Sequence, residues 1–183
     1  MKTAVIGPGA MGSLFGGLLT ESGVAVWLLD IWEAHINTLN QSGLTIEREG
    51  VTRVVRPNAV TDPQSIGQVD LVIVFVKSTH TAAAARAAAG LVRPDGLVLT
   101  LQNGMGNAEI IDETAGRSRV ICGTTAQGAM LLGPCRIQHS GIGKTIIGMW
   151  EQDRQPIVDQ LAELFSAAGI ETSGIDYIKP VIW

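Results

Sequence analysis

The sequence predicts an α/β fold built on a doubly wound, mostly parallel sheet, and three observations lead there. Short apolar runs rich in Val, Ile and Leu alternate with stretches of helical periodicity along the chain, the pattern of strands joined by crossover helices. The run DLVIVFV at 70–76 is apolar after its first residue, as expected of a strand covered on both faces. A glycine-rich turn, GPGAMG at 7–12, sits between the first such strand and the first helix.

The elements follow in order. Residues 3–6 form a buried strand, and 11–22 a helix closed by Gly23. A second strand covers 24–29, followed by a helix at 32–41 that Gly43 ends. A polar hairpin at 45–55 turns at Glu49-Gly50. After the strand at 70–76 come an alanine-rich helix at 81–89, a turn at Pro94-Asp95-Gly96 and a buried strand at 97–101. A helix at 107–114 and a strand at 120–124 precede two strands, 136–139 and 145–149, which flank Gly141-Ile142-Gly143. A helix at 156–168 carries Ile157, Leu161, Leu164 and Phe165 on one face, and 170–172 form a last short strand. Residues 176–183 read as the first turns of a helix whose apolar end, Ile182-Trp183, is left exposed, as at a domain boundary. The expected division is a dinucleotide-binding domain at 1–174 and the start of a linker helix at 175–183.

Hydrophobic residues make up 46% of the 183 and charged residues 16%, which supplies a large core and excludes a disordered chain. A net charge of −4 without any Lys/Arg run argues against a nucleic-acid partner. The apolar N-terminus breaks at Gly7-Pro8-Gly9, too early for a signal peptide. The uncharged stretch at 120–135 is too polar to cross a bilayer. The chain therefore reads as soluble and cytoplasmic, with no membrane partner. Cys122 and Cys135 read as small core hydrophobes in buried strands. No His, Cys or carboxylate cluster has metal-ligand spacing, so no metal is expected.

In the loop Gly7-Pro8-Gly9-Ala10-Met11-Gly12 each glycine has a mechanical task. Gly7 permits the tight turn, Gly9 lets a pyrophosphate approach the backbone, and Gly12 lets the helix pack on the strand. The helix N-terminus then offers free N–H groups to the phosphates. Asp30 ends the second strand, eighteen residues past Gly12, where a carboxylate accepts hydrogen bonds from ribose hydroxyls. Loop, strand, helix and acid together specify a Rossmann-type domain holding NAD(H) or NADP(H). Asp30 repels a 2′-phosphate, and Ile31 and Trp32 supply no cation, which favours NAD. An Arg48, Arg53 or Arg56 folded back towards the adenosine would favour NADP instead.

Three further segments fall at the carboxyl ends of strands, where such sheets bind ligands: Lys77, Asn103 in QNGMG, and Thr124-Thr125. With the glycine loop, Lys77 in VFVKS, Asn103 in QNGMG, GTTAQGA at 123–129, His139 with Gly141 and Gly143, and the closing IDYIKPVIW, the chain resembles the ketopantoate reductase (2-dehydropantoate 2-reductase) family along nearly its whole length. That resemblance implies an NAD(P)H-dependent reductase of a small-molecule 2-oxo acid, giving a 2-hydroxy acid such as pantoate. It places Lys77, Asn103 and Ala129 near the nicotinamide, with Lys77 and Asn103 also orienting substrate. It puts the proton-donating lysine just beyond Trp183, on an all-helical C-terminal domain that this chain lacks, so catalysis is not expected of the isolated chain, and Lys179 is four residues too early for the role. A homodimer stays open, since its contacts would involve that second domain. Asp30 departs from NADP-reading members, which carry a basic residue near this position.

His35 is expected on an exposed helix face away from the site. His80 is read as a solvated helix start and His139 as structural. Two other readings stay open: a stand-alone NAD(P)-binding module or pseudoenzyme, and a dehydrogenase of the 3-hydroxyacid or glycerol-3-phosphate type. QNGMG speaks against the latter.

Overall fold

The computed structural model describes residues 1–116, 119–151 and 155–182. In chain order the strands are β1 (Lys2–Ile6), β2 (Ala25–Leu29), β3 (Leu44–Arg48), β4 (Val51–Val55), β5 (Asn58–Val60), β6 (Val69–Val74), β7 (Val92–Thr100), β8 (Val120–Thr125), β9 (Gly128–Gly133), β10 (Arg136–Gly141), β11 (Thr145–Met149) and β12 (Thr172–Gly174). The α-helices are α1 (Ala10–Glu21), α2 (Glu33–Ser42), α3 (Thr81–Leu91), α4 (Asn107–Ala115), α5 (Gln155–Ala167) and α6 (Lys179–Ile182).

The apolar runs pair into an eight-stranded sheet of order β12-β11-β8-β7-β6-β1-β2-β5. Every pairing in it is parallel except β11 with β8. Helices cover both faces, as the uninterrupted apolar strands require. Leu14 and Phe15 of α1, Leu39 of α2 and Phe165 of α5 share one core. Ala85 and Ala88 of α3 and Ile111 of α4 share the other. Phe15 anchors the first core, 4.9 Å from Phe75 and edge-on to Phe165 at 5.9 Å between ring centroids. Such pairs add roughly 0.5–1.5 kcal/mol beyond their burial.

A second sheet of order β4-β3-β10-β9 lies on the outer side of α1, with β10 parallel to β3 and the other pairs antiparallel. Glycines let α1 fit between the sheets. A Cβ on Gly16 would lie 2.5 Å from Leu28, and one on Gly17 would lie 2.8 Å from Leu44 and Ile46. The expected hairpin is β3–β4, and Glu49 and Gly50 at its turn both take positive φ, 50° and 80°. That is the left-handed pair a two-residue hairpin prefers.

Several expectations need correction. Residues 94–96 do not separate two elements. β7 pairs with β6 at Val92 and again at Leu97, bulging between them, and Arg93 braces the bulge by bonding Asp70 at 2.5 Å and Asp95 at 2.8 Å. β5 and β9 were not anticipated. The last strand lies at Thr172–Gly174, later than expected, because its partner β11 sets the register. Cys122 is in a buried strand, but Cys135 occupies the tight turn between β9 and β10 with φ 59°, though it too is buried. Ile182 is half-buried against the second core, where Ile178 is fully buried. The expected exposed end is thus partly covered, and Trp183 lies outside the described residues. No helix among the described residues is long and apolar enough to cross a membrane.

Candidate functional site

The chain leaves β1 at Ile6 and turns sharply. Gly7 has φ +84°, donates its N–H to the Leu29 carbonyl at 3.0 Å, and has no room for a Cβ, which would sit 2.7 Å from Val76. Only glycine meets both conditions at low cost. Gly9 is the opposite case, since an added Cβ there meets nothing within 4 Å. It precedes α1, whose N-terminus no side chain caps, so the first-turn N–H groups face the open side of the loop. Ser13 ties the loop from beneath, donating to the Pro8 carbonyl at 2.8 Å. A Cβ on Gly12 would lie 2.3 Å from the Gly7 carbonyl oxygen. The tight approach expected there is therefore to the loop itself, and Gly16 supplies the close helix–strand contact.

Asp30 ends β2, half-buried, with Oδ1 accepting the Trp32 N–H at 3.0 Å. A cavity of about 540 Å³ opens between Gly7, Gly9, Asp30 and Ile31 on one side and Ala83 and Ala87 of α3 on the other. The alanine-rich helix presents small side chains there and leaves the cavity wide. Arg48, Arg53 and Arg56, the cations a 2′-phosphate would need near Asp30, make their contacts elsewhere. Arg48 lies 3.7 Å from Glu49, Arg53 lies 3.2 Å from Glu21, and Arg56 donates to the Gln41 carbonyl at 3.5 Å.

Lys77 follows β6 and Asn103 follows β7, both exposed, and Ala129 lies half-buried on β9. All three line a second cavity of about 680 Å³ with Met11, Thr125 and Gln127. Phe75, Val76 and Lys77 line both cavities, so the two meet at the end of β6. The structure thus brings Gly7, Gly9, Met11, Asp30, Lys77, Asn103 and Ala129 to two adjoining cavities at the carboxyl edge of the sheet, with Lys77 lining both. Pro8, Ala10 and Gly12 shape the loop and line neither cavity, and Thr125 lines the second cavity while Thr124 does not.

Gln127 lies inside the GTTAQGA segment, where nothing in the sequence distinguishes it from its neighbours. It is buried, with Nε2 donating to the Gly143 carbonyl at 2.7 Å and Oε1 lying 2.9 Å from His139 Nε2. Because the amide oxygen must accept, His139 carries its proton on Nε2. Burial, and then the positive charge of Arg48, hold this imidazole below its ordinary pKa. His139 is buried and lines neither cavity. His80 is exposed at the start of α3, yet it also lines the first cavity. His35 corrects the sequence reading, for it is fully buried rather than exposed. Its Nδ1 accepts the Cys135 N–H at 3.1 Å and its ring stacks on Trp32, 5.0 Å between centroids. Burial lowers its pKa, opposed by the charge of Asp30 and the Pro8 carbonyl. Sequence missed it because β9 and β10, which cover it, were not seen as one layer.

Residues 3–152 match the family model for ketopantoate reductase PanE/ApbA. The chain belongs to the ketopantoate reductase family. This ketopantoate reductase family chain is 40% identical over 184 residues to the 2-dehydropantoate 2-reductase of Halobacterium salinarum, covering all of this chain and 60% of that one. To the same enzyme of Pyrococcus horikoshii it is 40% identical over 183 residues, covering 59% of the relative. The chain therefore spans about three-fifths of the length of the curated relatives it matches. Among solved structures, D-mandelate dehydrogenase in a ternary complex with NADH and anilino(oxo)acetate is similar with a TM-score of 0.92 at 30% identity, over 100% of this chain and 59% of that one. The PanE/ApbA family ketopantoate reductase from Ralstonia eutropha gives a TM-score of 0.87 at 31% identity, over 100% and 59%.

Proposed function

We propose that this chain is the NAD(P)H-binding portion of a reductase that converts a ketopantoate-like 2-oxo acid to its 2-hydroxy acid. The observation that carries the reading is the pair of adjoining cavities, one lined by Gly9 and Asp30 and the other by Asn103 and Ala129, with Lys77 lining both. The residues fit the cofactor. Gly9 leaves open space where a pyrophosphate must approach, and the uncapped start of α1 offers N–H donors beside it. In this reading Gly7, Pro8, Gly9, Ala10, Met11 and Gly12 form the phosphate loop and Asp30 holds the adenosine ribose. Lys77, Asn103 and Ala129 surround the nicotinamide, and residues 1–174 form the binding domain with 175–183 leading away from it.

A bound dihydronicotinamide supplies the hydride. Lys77 and Asn103 donate hydrogen bonds that orient the substrate and favour charge developing on its ketone oxygen. Lys179 has no part in this. It is paired with Glu151 at 2.8 Å and lies over the Trp150 ring at 4.5 Å. By the family resemblance, the remaining substrate contacts and the proton donor belong to the share of the relatives' length beyond the three-fifths matched here.

Asp30, with Arg48, Arg53 and Arg56 engaged elsewhere, favours NAD over NADP. The same feature favours a second reading, an NADH-linked 2-hydroxy acid dehydrogenase, supported by the likeness to D-mandelate dehydrogenase with NADH. Titration of NADH and NADPH into the chain, with Asp30→Ala alongside, tests both. Tighter NADH binding that weakens in Asp30→Ala is expected. Tighter NADPH binding overturns the NAD preference, and binding of neither overturns the proposal.

A further inference from the structure

We propose that Gln102, Thr81 and Asn107 form a hydrogen-bonded relay, buried at Thr81 and Asn107, that positions Lys77 and Asn103 relative to one another at the nicotinamide end of the site. This inference rests on the cofactor reading above. Gln102 Nε2 has two hydrogens and two acceptors, the Val76 carbonyl at 2.6 Å and Thr81 Oγ1 at 3.0 Å. Its Oε1 accepts the Thr100 hydroxyl at 2.9 Å. Thr81 passes its single hydrogen to Asn107 Oδ1 at 2.7 Å. Asn107 Nδ2 then donates to the carbonyls of Asn103 and Gly104, both at 3.1 Å.

The relay therefore begins at the peptide that enters Lys77 and ends at the peptides of Asn103 and Gly104. Every donor in it is used, which fixes its direction. Turning the Gln102 amide over would set Oε1 against the Val76 carbonyl and leave Thr100 without an acceptor. Thr81 is fully buried and Asn107 nearly so, so a broken link leaves a polar group without water. The Lys77 carbonyl also accepts the His80 N–H at 2.8 Å, but that bond stays within its own loop. Gly104 and Gly106 take φ of +93° and +87°, and among the described residues the side chains of Lys77 and Asn103 have no hydrogen-bond partner. Their placement is inherited from the backbone, and the relay is what spans the two backbones. Thr81 and Asn107 line neither cavity and are positioning residues, while Gln102 also borders the second cavity.

The test compares Thr81→Val, which keeps the shape and removes the hydroxyl, with Thr81→Ser, which keeps the hydroxyl. Affinity for NADH, or for NADPH if that binds tighter, is read from dihydronicotinamide fluorescence. Affinity for ADP-ribose, which lacks the nicotinamide, is read by calorimetry. Thr81→Val is expected to weaken the dinucleotide about tenfold, the effect of one broken buried link, with ADP-ribose unchanged and Thr81→Ser close to wild type. If Thr81→Val does not fold, Thr81→Ala, which also removes the hydroxyl and lies away from both cavities, is read in the same way. Unchanged dinucleotide affinity, equal loss of dinucleotide and ADP-ribose, or failure of Thr81→Ser to rescue overturns the relay. Failure of the wild-type chain to bind either dinucleotide overturns the cofactor reading beneath it.

Discussion

Gly9 and Gly12 stand three residues apart in one loop and should respond to the same substitution in opposite ways. A methyl on Gly9 meets nothing within 4 Å and points into the open cavity, and its backbone is extended with a negative φ of −68°. Gly9→Ala therefore costs the fold little. The lost chain entropy of glycine stabilises by about 0.4–1 kcal/mol, and the poorer N-cap offsets it by a similar amount. The melting temperature should stay within roughly 2–4 °C of wild type. A methyl on Gly12 would stand 2.3 Å from the Gly7 carbonyl oxygen, a backbone atom. The loop must shift, at a cost of about 1–3 kcal/mol and a fall of roughly 3–10 °C. Binding separates them the other way, because the Gly9 methyl occupies space the pyrophosphate needs and should abolish NADH binding in a chain that melts normally. Calorimetric melting and NADH titration on both variants make the comparison. The reasoning fails if Gly9→Ala destabilises as much as Gly12→Ala, or if it binds NADH like the wild type.

Two further outcomes follow from burial. His35 and His139 are held below their ordinary pKa in the folded chain, so the unfolded chain binds more protons once pH falls below about 6.5. The stability they contribute is complete above that pH and declines below it, at up to about 1.4 kcal/mol per pH unit for each histidine. Urea melts at pH 7.5 and 5.5 should show this fall, with a smaller one in His139→Gln, and equal midpoints would contradict it. Burial also pushes the Cys122 thiol up to about 12 and that of Cys135 up to about 11. Both should resist a disulfide reagent at pH 8 until urea unfolds the chain, and rapid reaction of the native chain would count against their burial.

Local pattern made most of the fold legible. The parallel core could be read because its strands are continuous apolar runs, and the loop at 7–12 because strand, turn and helix chemistry agree there. The second sheet could not. β9 is half-exposed and β5 is three residues long, so neither carries a period, and β10 pairs with β3 across some ninety residues. His35 was misjudged for the same reason, since its cover comes from Cys135, one hundred residues away. Within the candidate site, Lys77 and Asn103 were legible as polar residues ending apolar strands. Gln127 and the links through Thr81 and Asn107 were not, because hydrogen bonds over twelve to twenty-six residues leave no spacing signal.

The most direct test of a dinucleotide lying along the sheet edge is an amide chemical-shift map of the isotopically labelled chain titrated with NADH. The account predicts saturable shifts at 7–12, 30–31, 77–81, 102–107 and 125–129, with ADP-ribose reproducing only the first two groups and His80. Shifts clustered elsewhere, or none at millimolar NADH, would contradict it.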